Sequence, residues 1–156
     1  MADHHRASDN VFKAPEPAEL SRMLPSFEVR QILARGVSSA VYVARQKSLD
    51  RDVAIKVMPG REGSARTRFE KEAKAMAKLR HPNLIGVHDF GEVDGYLYLV
   101  MDFVDGKSLR RSTRGEAIDQ ETALKLILAI CEGLAHAHHA GIVHQAIKPD
   151  NILIGS

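Results

Sequence analysis

The sequence predicts an α+β fold, and three observations carry that prediction. Short runs rich in β-branched and aromatic residues begin at Phe27 and recur until about Phe103. A stretch with helical spacing at residues 64–79 interrupts these runs, and a longer one at residues 120–139 follows them. Together they predict five strands and one helix up to Phe103, with further helix beyond.

The chain begins with a polar segment, and three strands follow it. Residues 1–25 carry His4-His5 and the prolines of "APEP", which predicts a flexible lead-in with a short helix around residues 18–24. From Phe27 the runs "FEVRQILARG", "AVYVARQ" and "RDVAIKVM" are separated by small or polar turn residues. This pattern predicts an antiparallel meander.

The next two strands come after the first long helix. Residues 64–79 open with Ser64, which can cap a helix N-terminus, and close before "HPN", where Pro82 disfavours continuation. The runs "NLIGVHDFGE" and "GYLYLVMDF" then predict two strands joined by a glycine-containing turn. After "VDGKSLRR", residues 120–139 predict the longer helix.

Composition excludes several classes of partner. The 22 Lys and Arg residues nearly balance 20 Asp and Glu, so nothing in the net charge of +2 calls for nucleic acid or a membrane surface. Arg110, Arg111 and Arg114 form the densest basic group and are interpreted as a solvated helix end. Cys131 has apolar neighbours, which predicts a small buried side chain. With no signal peptide or apolar span in the sequence, a cytoplasmic location is expected.

Two charged residues stand out in the predicted sheet and helix. In "DVAIKV" successive side chains point to alternate faces, so the Lys56 side chain points away from the face that carries most of the apolar side chains of its strand. Glu72 shares a helical stripe with Phe69, Ala73 and Met76. One interpretation is an ion pair between Lys56 and Glu72, because a carboxylate buried without a partner is costly. The other is that both are surface charges at the rim of the contact, and periodicity does not separate the two.

Five motifs in a fixed order indicate a family. They are "VAIK" with Lys56, a helix with Glu72, "LRHPNLI", "YLVMDFVDG" and "GIVHQAIKPDNILI". Together they resemble the first part of a bacterial serine/threonine protein kinase of the eukaryotic type. The resemblance implies a protein-kinase-like fold, with a small lobe of five antiparallel strands and one helix at residues 26–101. Residues 102–156 would be the hinge and a partial large lobe that ends after the catalytic-loop motif.

The resemblance also implies a site for ATP. Lys56 would hold the α- and β-phosphates and be oriented by Glu72. Val41 and Ala54 would form part of the apolar roof over adenine, with Met101 as the gatekeeper at the back of the pocket. The same three residue types would serve equally well as plain core packing.

The phosphate loop departs from the family pattern, whereas the hinge does not. Residues from Asp102 to Val104 would be the hinge, whose backbone groups read the adenine edge. The family's G-x-G-x-x-G-x-V is replaced by "ARGVSSAV", with Ala34, Gly36 and Ser39 at the glycine positions. Because only Gly36 remains and a Cβ now lies near the phosphates, weakened ATP binding is expected.

The catalytic loop departs further. "HQAIKPDN" retains His144, Lys148 and Asn151, which match the family's structural His, its phosphate-contacting Lys and its metal-binding Asn. Ala146 stands where the family has the Asp that accepts the substrate proton, a loss worth about 10²- to 10⁴-fold in rate. The sequence stops before the family's DFG segment, and Asn151 alone is a poor Mg²⁺ ligand set, so Mg²⁺ binding is doubtful.

The helix predicted at residues 120–139 is apolar nearly all round. Such a helix is expected to be buried on several sides, and any uncovered part should bind a protein partner or self-associate. His136 and His139 could share a face as metal ligands, but no Cys, Asp or Glu completes a set.

These observations predict an ATP-binding, kinase-like domain that is deficient in phosphoryl transfer, a pseudokinase or regulatory module. Two alternatives stay open from the sequence. One is a non-enzymatic protein-interaction module, and the other is a fragment of an active kinase.

Overall fold

A five-stranded antiparallel sheet dominates the computed structural model, which describes residues 12–114 and 116–155. Its strands, in the spatial order β1-β2-β3-β5-β4, are β1 (Phe27–Arg35), β2 (Ala40–Gln46), β3 (Arg51–Pro59), β4 (Val87–Val93) and β5 (Tyr96–Asp102). Helix α1 (Pro17–Met23) precedes the sheet, and helix α2 (Gly63–Lys78) connects β3 to β4. The predicted α+β fold with five antiparallel strands is therefore confirmed.

The remainder of the described chain forms a smaller second region. It consists of β6 (Gly106–Ser108), α3 (Leu109–Thr113), α4 (Gln120–His139), a 3₁₀ turn at Pro149–Asn151 and β7 (Leu153–Gly155). Strands β6 and β7 pair antiparallel, and the Leu109 amide donates to the Ile152 carbonyl at 2.7 Å. Helix α4 has the predicted bounds, and the Asp119 side chain caps its N-terminus by accepting from the Thr122 amide at 3.0 Å.

The start of α2 differs from the prediction. Ser64 is not the N-cap, because the helix already begins at Gly63 and the N-cap residue is Glu62, which forms no side-chain cap bond. Gly63 has a φ of +55°, a backbone conformation that costs glycine little. This glycine allows the chain to turn into the helix one residue before the serine.

The N-terminal segment covers the outer face of the sheet. Leu20 and Leu24 of the α1 region pack into a core with Phe27, Tyr42 and Ile55, and Leu20 is fully buried. Tyr42 donates from its hydroxyl to the Pro15 carbonyl at 2.6 Å. The short helix predicted near residues 18–24 is thus present, but residues 12–24 are packed and not a loose lead-in. Residues 1–11 lie outside the described part of the chain.

Helix α2 covers the opposite, inner face of the sheet. Phe69 and Ala73 are its buried residues, and they pack against Leu97, Leu99 and Val87 of the two last large strands. The Phe69 ring meets Phe90 edge to face at a centroid distance of 6.1 Å. Phe69 and Ala73 of the predicted helical stripe therefore contact the sheet.

Helix α4 is attached to the sheet region through the loop after α2. The Cβ that any residue other than glycine would carry at position 133 would lie 3.0 Å from the Asn83 carbonyl oxygen, so Gly133 permits this close approach. The His81 and His136 rings lie 5.2 Å apart. Within α4 the buried residues are Gly133 and Ala137, while Leu124, Ile127 and Leu128 are more than half exposed.

Two further expectations concern this helix. Cys131 is exposed, so the prediction of a buried side chain is wrong: its apolar neighbours on α4 are themselves uncovered. Among the described residues, no helix is long and apolar enough to span a bilayer.

Candidate nucleotide site and catalytic loop

The inner face of the sheet brings four predicted site residues together. Antiparallel pairing aligns directly opposite residues on one face, so each cross-strand row can be read from the register. One row contains Ala34, Val41, Lys56, Leu99 and Phe90, and the neighbouring row contains Gln31, Val43, Ala54, Met101 and Val87. Lys56 is thus flanked by Val41 and Leu99, and Ala54 by Val43 and Met101.

Sequence reasoning missed Val43 and Leu99 in these rows. Both alternate in phase with predicted residues of their own strands, Val43 with Val41 and Leu99 with Met101. The period-two pattern therefore contained the signal that would have found them. In these two rows Lys56 is the charged residue and Gln31 the uncharged polar one, and the other eight residues are apolar.

The structure does not bring Lys56 and Glu72 together. Lys56 is half-buried on the inner face, whereas Glu72 is exposed on α2, and no ion pair within 4.0 Å joins either residue to another described residue. Burial of Phe69 and Ala73 sets the rotation of the helix. Glu72 then stays in water, which avoids the cost of desolvating its carboxylate.

An ion pair holds α2 to the sheet in this rotation. Arg66 approaches Glu92 of β4 at 2.5 Å, and it also pairs with Glu70 one helical turn away at 3.2 Å. All three side chains are partly exposed, so each pair contributes about 1 kcal/mol or less. The apolar contacts therefore dominate the position of α2, and the ion pairs refine it.

The predicted phosphate loop is the turn between β1 and β2. The Gly36 amide donates to the Ser39 carbonyl at 2.7 Å, which closes the turn. Ala34 pairs with Val41 in the register, so its methyl group lies on the inner face in the same row as Lys56, with Val41 between them. The structure thus places a Cβ where the family motif has none, at the edge of the site.

The predicted hinge, residues 102–104, begins where the β5 ladder ends. Asp102 is the last residue of β5, and its amide donates to the Gly86 carbonyl at 2.9 Å. Phe103 and Val104 follow as half-buried, irregular chain. Sequence reasoning assigned only backbone groups to this segment, and it missed that the Asp102 carboxylate is itself fully engaged.

The predicted catalytic loop is held by its own polar groups. The Asn151 side-chain amide donates to the Ala146 carbonyl at 2.8 Å, and the Ala146 amide donates to His144 Nδ1 at 3.2 Å. The Asp150 carboxylate pairs with Arg110 Nε at 2.9 Å and points to α3. Asp150 therefore does not replace the carboxylate absent at Ala146, and Lys148 is exposed at the start of the 3₁₀ turn.

The described residues alone do not form a metal site. No group of three His, Cys, Asp or Glu side chains converges anywhere in residues 12–114 and 116–155, and Asn151 already donates its side-chain amide N–H within the loop.

A strongly perturbed side chain lies on the opposite, outer face of the sheet, where burial raises the pKa of Tyr42 to about 12.

Comparison with known proteins identifies the class. A model of the protein kinase domain matches residues 27–156, so the chain belongs to the protein kinase domain family. The chain is 39% identical over 136 residues to the serine/threonine-protein kinase PknF of Mycobacterium tuberculosis, covering 83% of this chain and 29% of that protein. It is 35% identical over 137 residues to PrkC of Bacillus subtilis, covering 85% of this chain and 21% of PrkC.

Solved structures show the same fold. A crystal structure of the kinase domain of PknI from Mycobacterium tuberculosis, a double mutant, superposes with a TM-score of 0.77 at 28% identity, covering 84% of this chain and 54% of that one. The chain thus spans about half of a solved kinase domain and less than a third of the curated relatives quoted above. The resemblance to bacterial serine/threonine kinases is confirmed.

Proposed function

We propose that this domain binds ATP but transfers the γ-phosphoryl group poorly, as a pseudokinase or regulatory module. One combination of features carries the proposal. Lys56 is only half-buried on an apolar inner face of the sheet, and the predicted catalytic loop has Ala146 at the position of the base. Protein kinases as a family use ATP with Mg²⁺.

The residues present can perform binding and orientation. The Lys56 ammonium is a compact cation suited to phosphate oxygens, and the side chains of Val41, Ala54 and Met101 offer an apolar surface to a base. Backbone groups of the hinge remain for the edge of that base. The methyl group at Ala34 lies beside the phosphate position, which supports weakened affinity.

Proton transfer is the step that the loop does not support. A methyl group at Ala146 accepts no proton, and the nearest acid in the loop, Asp150, is held by Arg110. Loss of a positioned general base lowers the rate by about 10²- to 10⁴-fold. The described residues do not fit Mg²⁺ as a protein-held ion, because Asn151 is their only predicted ligand, the neighbouring Asp150 is paired with Arg110, and no three acidic, His or Cys side chains converge among them.

Nucleotide binding by the purified chain tests the proposal. Thermal unfolding is measured with and without millimolar ATP for wild type, Lys56→Ala and the matched control Lys125→Ala, an exposed lysine on α4. We expect ATP to raise the Tm of wild type and of the control, and to leave the Lys56→Ala variant unshifted. Equal shifts in all three proteins, or none, would contradict a site built on Lys56.

One observation favours a second candidate, a protein-interaction module. Leu124, Ile127 and Leu128 expose more than half of their surface along one helix. If α4 mediates association, Leu128→Lys should abolish concentration-dependent assembly in sedimentation experiments, while Gln120→Lys on the same helix should not. A wild-type chain that stays monomeric at high concentration would remove self-association as its role.

A further inference from the structure

The carboxylate of Asp102 is fully used at the first residue of the hinge. Its Oδ2 accepts a hydrogen bond from the Gly86 amide at 2.7 Å, and its Oδ1 lies 2.6 Å from His88 Nε2. The Asp102 amide in turn donates to the Gly86 carbonyl at 2.9 Å. Asp102 and Gly86 thus exchange two hydrogen bonds, and His88 adds a third contact.

The sheet is irregular at the point where His88 contributes. The register between β4 and β5 shifts between Val87 and Asp89, which leaves His88 as the extra residue of a β-bulge. Bulges redirect a side chain and interrupt the ladder, and they are common beside functional sites. Here the bulge directs the His88 side chain towards the Asp102 carboxylate. The His88 side chain is 19% exposed and that of Asp102 is 47% exposed.

Gly86 is shaped to this arrangement. A Cβ at this position would lie 2.8 Å from Asp102 Oδ2 and would force the carboxylate away. Arg51, Arg80 and His81 line the same recess, so the field around the carboxylate is positive. The steric fit at Gly86 and the neighbouring arginine side chains both favour a single position of the Asp102 carboxylate.

We infer that Gly86, His88 and the Asp102 side chain form a clasp that positions the hinge backbone for the nucleotide base. The ladder of β5 ends at Asp102, so within the described chain no strand pairing fixes the carbonyl and amide directions of Phe103 and Val104. The clasp supplies that restraint from β4. His88 is accordingly a positioning residue, and the inference rests on the proposed ATP site.

The clasp is tested by a change at His88 and its conservative rescue. His88→Phe keeps the ring volume and removes the donor, whereas His88→Gln places an amide N–H near the original Nε2. We expect ADP affinity, measured by calorimetry on the folded chain, to fall about three- to tenfold in His88→Phe and to recover in His88→Gln. His139→Phe, an exposed histidine on α4, should bind ADP like wild type.

A second readout does not require nucleotide. The amide protons of Gly86 and Asp102 form the two hydrogen bonds between these residues, so their hydrogen-exchange rates report on the clasp. His88→Phe should accelerate both rates about tenfold, while the amides of β2 keep their protection. Unchanged exchange at both amides, or equal ADP affinity of wild type and His88→Phe, would overturn the inference. If wild type binds no nucleotide, the proposed function fails, and the exchange experiment still decides whether the clasp holds the hinge.

Discussion

The N-terminal segment is part of the folded domain, and Leu20→Ala tests this directly. Leu20 of α1 is fully buried in the core on the outer face of the sheet, with Tyr42 and Ile55 as neighbours. Leu→Ala at such a site removes apolar contacts and leaves a cavity, which costs about 2.7–5 kcal/mol. For a chain of this size that loss corresponds to a Tm decrease of roughly 5–20 °C.

The matched control is Leu49→Ala in the turn between β2 and β3. Leu49 is 61% exposed, so the same chemical change should cost less than about 0.5 kcal/mol there. Both variants are unfolded in urea and followed by circular dichroism, with the midpoint compared at equal m-value. If Leu20→Ala loses no more stability than Leu49→Ala, residues 12–24 do not belong to the core and the reasoning fails.

Three further predictions follow from single contacts. Because burial raises the pKa of Tyr42 to about 12, the stability it contributes is complete below pH 10 and is lost as pH rises from 10 to 12; Tyr42→Phe should flatten that alkaline limb in pH-dependent unfolding. Backbone hydrogen bonding to Thr122 lowers the pKa of Asp119, so the cap is present above about pH 4 and is lost as pH falls below it; Asp119→Ala should unfold more readily at pH 7 than Asp119→Asn, which keeps an acceptor. Gly60→Ala should lower the free energy of unfolding in urea by about 1–3 kcal/mol, because the new Cβ would lie 2.6 Å from the carbonyl oxygen of Gly95. A stability equal to that of wild type would show that the β4–β5 turn at Gly95 moves freely.

The fold was predictable from the sequence because it depends on local and periodic features. The five strands and the bounds of α4 follow from period-two and helical patterns, and "HPN" marks the end of α2. The same alternation places Ala54 and Lys56 on one face of β3, whereas Val41 joins them through the pairing register of β2. The alanine at position 146 is read directly from the sequence and needs no structure to be known.

The errors of prediction share another cause. Glu72 lies on the predicted stripe of α2 and yet is exposed, because a helix can rotate by a fraction of a turn to bury Phe69 and Ala73 most fully. Cys131 was expected in a core, but no described element covers that part of α4. Periodicity states which residues share a face and does not state which neighbour, if any, covers it.

The sequence by itself determined the kinase-like order of strands and helices, the alternation that puts Lys56 on one face of its strand, and the alanine at position 146. Only the tertiary structure decided that residues 12–24 pack on the outer face, that Lys56 and Glu72 stay apart, and that the Asp102 carboxylate contacts Gly86 and His88. These outcomes depend on contacts between residues distant in the chain. Their geometry results from competing burial and desolvation free energies, which no local pattern encodes.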